Sequence, residues 1–260
     1  MQDILDRAAA LAPVLAEAAG EICRQHFRSR IEVIDKADLS PVTIADRDIE
    51  AALRRLILEA FPGHGIVGEE HGTERADAPF VWTIDPIDGT GQFISGMPLF
   101  GTLVALLHEG EPVLGLIDQP ILRERWLGVR GRPTVMNGAA IRTRACPALG
   151  SATLSTTTPD IFQGNDIAGF RRLSAGAKRV RYGMDCYAYG LVALGCIDAV
   201  IETRLKPWDY CALVPVIEGA GGVVTGWGGE RIGLSSDGRV VGSGDPALHQ
   251  EILAVLAGQD

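Results

Sequence analysis

The sequence predicts a mixed α/β protein of two packed halves, an α+β half over residues 1–145 and an α/β half over residues 146–260. Three observations carry this. Near the N-terminus two segments repeat apolar residues at helical spacing. From Ile66 to Arg130, apolar runs of strand length follow one another with tight polar turns between them. Beyond Leu149, strand and helix patterns take turns, as in a sheet covered on both faces.

The elements follow in order. Residues 3–27 place Ile4, Leu5, Ala8, Leu11, Leu15, Ala18, Ala19 and Ile22 on one helical face, with Pro13 as a point of bending. A strand is expected at Ile31–Asp35. A second helix, Thr43–Glu59, buries Ile49, Leu53, Leu56 and Ile57 and is stopped by Phe61-Pro62-Gly63. Strands are expected at Phe80–Ile84, Gly101–Leu107, Pro112–Gln119 and Arg125–Arg130, and His108–Glu111 reads as a hairpin loop that makes its strands antiparallel. Gly131–Ile141 reads as a turn and strand, and Thr143–Leu149 as the boundary between halves. The second half offers strands at Ala152–Thr156, Arg179–Arg181, Ile197–Glu202, Val223–Thr225 and Val240–Ser243. Its helices are expected at Asp185–Gly195, Tyr210–Ala220 and Pro246–Leu256. Pro215 inside the second of these implies a kink or a later start.

The chain has 260 residues, 47% hydrophobic and 22% charged, a composition that can bury a sizeable core. The net charge of −9 and the lack of a basic block argue against nucleic acid as a partner. The five cysteines are scattered without C-x-x-C spacing, which fits free thiols in a reducing compartment. Asp3, Asp6 and Arg7 precede any apolar block, unlike a secretory leader, and apolar runs such as Leu103–Leu107 are too short to span a bilayer. A cytoplasmic protein with no membrane partner is expected.

The chemistry concentrates in carboxylates at element ends. Asp85 and Asp88 close an apolar run in Trp82-Thr83-Ile84-Asp85-Pro86-Ile87-Asp88-Gly89-Thr90, Glu69 closes Gly65–Gly68, and Asp209 opens a helical pattern. Mg²⁺ takes hard oxygen ligands. A D-x-x-D spacing at a strand end lets Asp85, Asp88 and the Ile87 carbonyl face one point, while Gly89 and Thr90 offer amides to a phosphate. The competing reading is a polar turn that caps a helix. Adjacent strand side chains point opposite ways, so Glu69 is favoured as ligand and Glu70 as a nearby base, against an exposed acidic loop. Thr43-Ile44-Ala45-Asp46 reads as a capping box with Asp46 at N3. Asp209 reads as an N-cap, a role compatible with metal binding because only one oxygen is used by the backbone. No pair of histidines has metal spacing, and no nucleophile elbow or Walker loop is present.

Taken together, Glu69-Glu70, Asp85-Pro86-Ile87-Asp88-Gly89-Thr90 and Trp208-Asp209 with Gly219-Ala220-Gly221-Gly222 resemble the inositol monophosphatase family across residues 3–258. The resemblance implies a layered α-β-α-β-α sandwich with the site between the halves, and a homodimer. It implies two or three Mg²⁺ ions held by Glu69, Asp85, the Ile87 carbonyl, Asp88 and Asp209. Asp46 matches a further acidic residue near the third ion and joins Glu70 and Thr90 in the catalytic set. Phe93-Ile94-Ser95-Gly96, Leu114–Pro120, Glu124-Arg125-Trp126, Asp185–Gly190 and Lys206–Tyr210 resemble the histidinol-phosphate phosphatase branch, with Cys211 a small departure. Inositol phosphatases usually carry a small polar residue where Asp185 stands. Histidinol phosphate carries an ammonium and an imidazole, so Asp185 and Glu202 are expected to read its positive charge. The bland alternatives are a helix N-cap for Asp185 and a solvated strand end for Glu202.

The expected activity is therefore Mg²⁺-dependent hydrolysis of a small-molecule phosphate ester, L-histidinol phosphate first. A broader inositol, sugar or polyol phosphatase is the alternative. A non-catalytic binder of metal and phospholigand on the same fold is the reading from a different class.

Overall fold

The structure, a computed structural model, describes residues 1–30, 33–35 and 41–258. Helix α1 (Gln2–His26) is continuous through Pro13, which lies on its exposed side, and buries Leu5, Ala8, Ala12, Leu15, Ala19 and Cys23. Strands β1 (Val33–Asp35) and β2 (Pro41–Thr43) pair antiparallel; Ile31 and Glu32 of the expected strand lie outside the described residues. Helix α2 (Ile44–Ala60) starts at Thr43, whose hydroxyl accepts the Ala45 amide at 3.2 Å. The strands β3 (Gly65–Gly68), β4 (Gly72–Glu74) and β5 (Phe80–Asp88) lead into the short helix α3 (Thr90–Ile94). Then come β6 (Gly101–His108), β7 (Glu111–Gln119), β8 (Glu124–Val129), β9 (Val135–Met136) and β10 (Ala139–Ala140). The remaining elements are β11 (Thr153–Thr156), α4 (Asp166–Gly176), β12 (Arg179–Tyr182), α5 (Asp185–Ala193), β13 (Ala199–Glu202), α6 (Pro207–Tyr210), α7 (Leu213–Gly219), β14 (Val223–Thr225), β15 (Val240–Ser243) and α8 (Pro246–Leu256).

Two sheets organise these elements. The larger runs β10-β9-β8-β7-β6-β5-β3-β4 and is antiparallel except where β3 lies parallel to β5. The smaller runs β12-β11-β13-β15-β14, parallel across β12, β11 and β13. Strand alternation then decides the layers. Val104 and Leu106 of β6 pack against α1 and α2, while Leu103, Ala105 and Leu107 of the same strand pack against α5 and α7. In the smaller sheet Val200 and Val240 face that same central layer, and Ala199, Ile201 and Val241 face α4 and α8. The expected α-β-α-β-α sandwich is the result.

One expectation needs correction, and elements stand where none was expected. The helix expected at Tyr210–Ala220 is two helices, α6 and α7, so Pro215 falls in the first turn of α7, where a missing N–H is tolerated. Helix α4 was not expected: Gly169 lies inside it, and only Ile167, Phe170 and Leu173 mark its apolar face. Strand β4 is a polar edge strand without an apolar run.

The outer layer holds a buried histidine. His249 of α8 has its Nε2 2.8 Å from the Thr225 hydroxyl oxygen, and that hydroxyl donates to the Gly226 carbonyl. Nε2 is therefore the donor, and Nδ1 has no partner. Burial pushes the imidazole down to about 4. Between pH 6.5 and 4 the unfolded chain takes up a proton that the folded chain refuses, so stability falls as pH falls, by up to roughly 3 kcal/mol. His249→Gln is expected to flatten that fall in denaturant midpoints measured at pH 7 and 4.5. An equal fall in both proteins would show that His249 is not responsible.

Candidate active site

The site forms where β3 and β5 end together. Their parallel register pairs Gly65 with Val81 and Gly68 with Ile84, so Glu69 follows beside Asp85, and the Glu69 amide donates to the Ile84 carbonyl at 3.2 Å. On a regular strand, residues three apart point to opposite faces. Here the β5–β6 pairing slips: Asp85 pairs with Leu103 and Asp88 with Gly101, leaving Pro86 and Ile87 opposite Thr102. This bulge re-aims Asp88 to the side of Asp85. The Thr102 hydroxyl secures it by donating to the Pro86 carbonyl at 2.8 Å. Asp209 arrives from α6. The carboxylates of Asp85, Asp88 and Asp209 each present an oxygen within 4.8 Å of the others.

Asp209 is not the N-cap that the sequence suggests. It is the third residue of α6, and one of its oxygens accepts the amide of the N-cap residue, Lys206, at 2.7 Å. The consequence expected of a cap still holds, since the backbone uses one oxygen only. Asp88 is held in a similar way by the Cys186 amide at 2.6 Å, and Asp85 accepts the Ile87 amide at 3.0 Å.

Crowding of like charges sets the electrostatics. Burial and then the charges of Glu69, Asp88 and Asp209 push Asp85 well above the usual carboxylate range. Asp88 is raised by burial and by Asp185 and Asp209, and Asp209 is pushed up to about 7 by burial and by Glu69. Such a set is costly without a counter-charge. Convergent hard oxygens with surplus negative charge fit a divalent hard cation.

The N-terminus of α2 forms a second wall. Asp46 accepts both the Thr43 amide at 2.8 Å and the Thr43 hydroxyl at 2.7 Å through one oxygen, the capping box the sequence predicts. Its other oxygen lies 3.4 Å from the Thr90 hydroxyl, which also donates to the Ile87 carbonyl at 3.0 Å. Burial pushes Asp46 up to about 6, and the charges of Glu70 and Glu69 act in the same direction. Gly89 is the N-cap of α3 with φ 89°, and a Cβ there would press on Asp185 at 3.2 Å.

Asp185 and Glu202 line a small cavity of about 20 Å³ together with Asp88, Thr157, Tyr189 and Asp209. One oxygen of Asp185 accepts the Thr157 hydroxyl at 3.2 Å, and one of Glu202 accepts the Thr157 amide at 2.6 Å. The remaining oxygens, Asp185 Oδ2 and Glu202 Oε2, are buried without a partner, as is the Tyr189 hydroxyl. Burial pushes Glu202 up to about 8 and raises Asp185. Neither bland alternative holds. Met184 is the N-cap of α5, with Asp185 following at a strained φ of 40°, and Glu202 is buried rather than a solvated strand end.

The structure thus gathers Glu69, Asp85, Ile87, Asp88 and Asp209 in one place, Asp46, Thr90 and Glu70 beside them, and Asp185 and Glu202 at the adjoining cavity. Thr157 and Tyr189 were missed. Tyr189 lies within the Asp185–Gly190 string without having been given a role, Thr157 belongs to no local motif, and the packing of β11 and α5 brings both to Glu202. Gln92, whose side-chain amide opposes the upward shift of Asp185, was given no role either.

Comparison with known proteins agrees with this geometry. The family model described as "Inositol monophosphatase family" matches residues 5–259. The chain is 49% identical over 261 residues to the chloroplastic bifunctional phosphatase IMPL2 of Arabidopsis thaliana, covering 97% of this chain and 75% of that protein. It is 35% identical to a histidinol-phosphatase of Chlorobaculum parvum, covering 95% of each. A solved structure of an inositol monophosphatase from Zymomonas mobilis superposes with a TM-score of 0.90 at 44% identity, covering 97% of this chain and 98% of that one. A match over nearly the whole chain, the shared layers and the acidic cluster lead to one statement: this protein belongs to the inositol monophosphatase family and is a phosphatase.

Proposed function

We propose that the chain is a Mg²⁺-dependent phosphomonoesterase that hydrolyses L-histidinol phosphate to L-histidinol and phosphate. The observation that carries the substrate is the pair of buried, unpartnered oxygens on Asp185 and Glu202 beside the acidic cluster. Each carboxyl keeps one buried oxygen without a partner, and a ligand that brings positive charge favours the ionised form of both, whereas a polyol brings none. The names of the relatives divide between histidinol and inositol phosphatases, so inositol 1-phosphate or a broader polyol phosphate is the second reading.

In this reading Glu69, Asp85, the Ile87 carbonyl, Asp88 and Asp209 hold two or three Mg²⁺ ions. Bound Mg²⁺ supplies Lewis acidity, shielding the phosphoryl oxygens and making water easier to deprotonate. The amides of Gly89 and Thr90 hold the phosphoryl group at the start of α3. Glu70 and the Thr90 hydroxyl orient the attacking water in line with the ester bond; as the ester P–O bond breaks, the water's proton passes to Glu70, or through the Thr90 hydroxyl to Asp46, and the leaving alkoxide takes a proton from solvent to become L-histidinol. Residues 1–145 carry most of this chemistry, and residues 146–260 bring Asp209 and the cation-reading pair. A homodimer and a cytoplasmic location belong to the same reading. No helix among the described residues is long and apolar enough to cross a membrane.

Phosphate release with Mg²⁺, comparing L-histidinol phosphate and inositol 1-phosphate at equal concentration, tests the assignment. The wild-type protein is expected to prefer the cationic ester. Asp185→Ser is expected to lose about 10–100-fold more on that ester than on the polyol, the value of one charged hydrogen bond. Equal rates on both esters, unchanged by the substitution, would favour the polyol reading.

A further inference from the structure

The turn that carries Glu69 and Glu70 faces a physical difficulty. Glu69 lies beside Asp85 and its charge acts on Asp209, while both glutamates act on Asp46. Without a cation these repulsions push the turn outward, so something must hold its backbone in place. Helix α2 supplies the restraint. Asp46, Glu50 and Arg54 recur at four-residue spacing along one face, while Ile49, Leu53 and Ile57 face the core.

Glu50 is fully buried, an expensive position for a carboxylate. Its oxygens are occupied by the turn. One accepts the Glu70 amide at 2.6 Å; the other accepts the His71 amide at 3.1 Å and Arg54 Nε at 2.7 Å. Arg54 also donates through Nη2 to the Gly72 carbonyl. A Cβ at Gly68 would overlap the Glu50 carboxylate, so glycine makes room for this clamp at the last residue of β3. One helix therefore grips the turn through Glu50 and Arg54 and, one turn earlier, meets Thr90 through Asp46.

We infer that Glu50 is a positioning residue: its buried carboxylate, braced by Arg54, holds the 69–72 turn so that Glu69 and Glu70 are preset for the metal site. This rests on the reading above that Glu69 is a ligand and Glu70 a base. Glu50→Gln keeps the shape but replaces one acceptor oxygen with an NH₂ group that faces the turn's own N–H donors.

The test is Mg²⁺ titration of the metal-free protein by calorimetry, with melting temperature and steady-state kinetics alongside. Glu50→Gln is expected to weaken Mg²⁺ binding about tenfold or more, the usual effect of losing a group that orients a ligand. At limiting Mg²⁺ its kcat falls, while KM for the ester at saturating Mg²⁺ stays close to wild type. Leu53→Ala, in the core on the same helix, is the structural control and is expected to lower the melting temperature without changing Mg²⁺ affinity. If Glu50→Gln does not fold, Gly68→Ala displaces the carboxylate from the turn while leaving Glu50 and Arg54 intact, and the same loss is expected. Wild-type Mg²⁺ affinity in the folded variant, or a loss no larger than that of Leu53→Ala, overturns the inference alone. A wild-type protein that neither binds Mg²⁺ nor releases phosphate overturns the reading of the site along with it.

Discussion

Asp88→Asn is expected to lower phosphate release on the order of 10³-fold, since metal-borne charge stabilisation is several kcal/mol and each 1.36 kcal/mol is a factor of ten. The fold should survive. One Asp88 oxygen already accepts the Cys186 amide at 2.6 Å, and an asparagine carbonyl can take that bond. Its NH₂ group then faces Asp85 and Asp209, where a cation needs an oxygen. In the metal-free protein the substitution also relieves a buried carboxyl that its acidic neighbours disfavour, so the melting temperature should stay level or rise. Lost activity with retained or improved metal-free stability separates a ligand from a structural residue. Near-wild-type turnover at saturating Mg²⁺ would remove Asp88 from the site.

Metal binding should depend steeply on pH. Mg²⁺ needs ionised carboxylates, yet Asp209 is pushed up to about 7 and Asp85 and Asp88 are raised well above the usual range. Cation and protons therefore compete. Apparent Mg²⁺ affinity is expected to rise about tenfold per pH unit between pH 6 and 7, with proton release visible in buffers of different ionisation enthalpy. The stability consequence has a definite sign. Folded-state values above the unfolded ones mean that the folded chain holds more protons, so metal-free stability is lost as pH rises through the folded values. Glu202, pushed up to about 8, adds to this. From pH 6.5 to 8, above the window in which His249 acts, the metal-free protein should lose stability while the Mg²⁺-loaded protein loses less. The gap between their melting temperatures should widen. An affinity flat from pH 6 to 8 would show that these carboxylates are ionised before the cation arrives.

The long periodic elements were legible because their local patterns and their burial agree. Helix α1, strands β14 and β15 and helix α8 lie at or within a residue or so of where apolar spacing and stop signals place them. The capping box at Thr43 and Asp46 was equally legible, because a cap is a contact between near neighbours. Helix α4 was not, since its short, glycine-containing face is buried by distant parts of the chain, among them α8, the smaller sheet and Phe162, which stacks on Phe170. The α6–α7 break at Cys211 and Ala212 follows no local stop signal; Pro215 alone hinted at it.

Asp185 and Glu202 were singled out by the family resemblance; by itself the sequence determined which residue types could do the chemistry, acidic groups at element ends and a Gly-Thr turn. Those are properties of short strings, where one residue constrains the next through backbone geometry. Tertiary structure decided that they converge. The bulge between Asp85 and Asp88 reverses strand alternation, and the parallel register of β3 on β5 brings Glu69 to Asp85. The packing of α5 against the smaller sheet buries Asp185 and Glu202 with one oxygen each left unpartnered. The clamp from Glu50 to the 69–72 turn spans twenty residues of sequence and has no local signature. Contacts of this kind depend on which surfaces pack together, and a carboxylate's charge and partners are set by the burial that packing imposes.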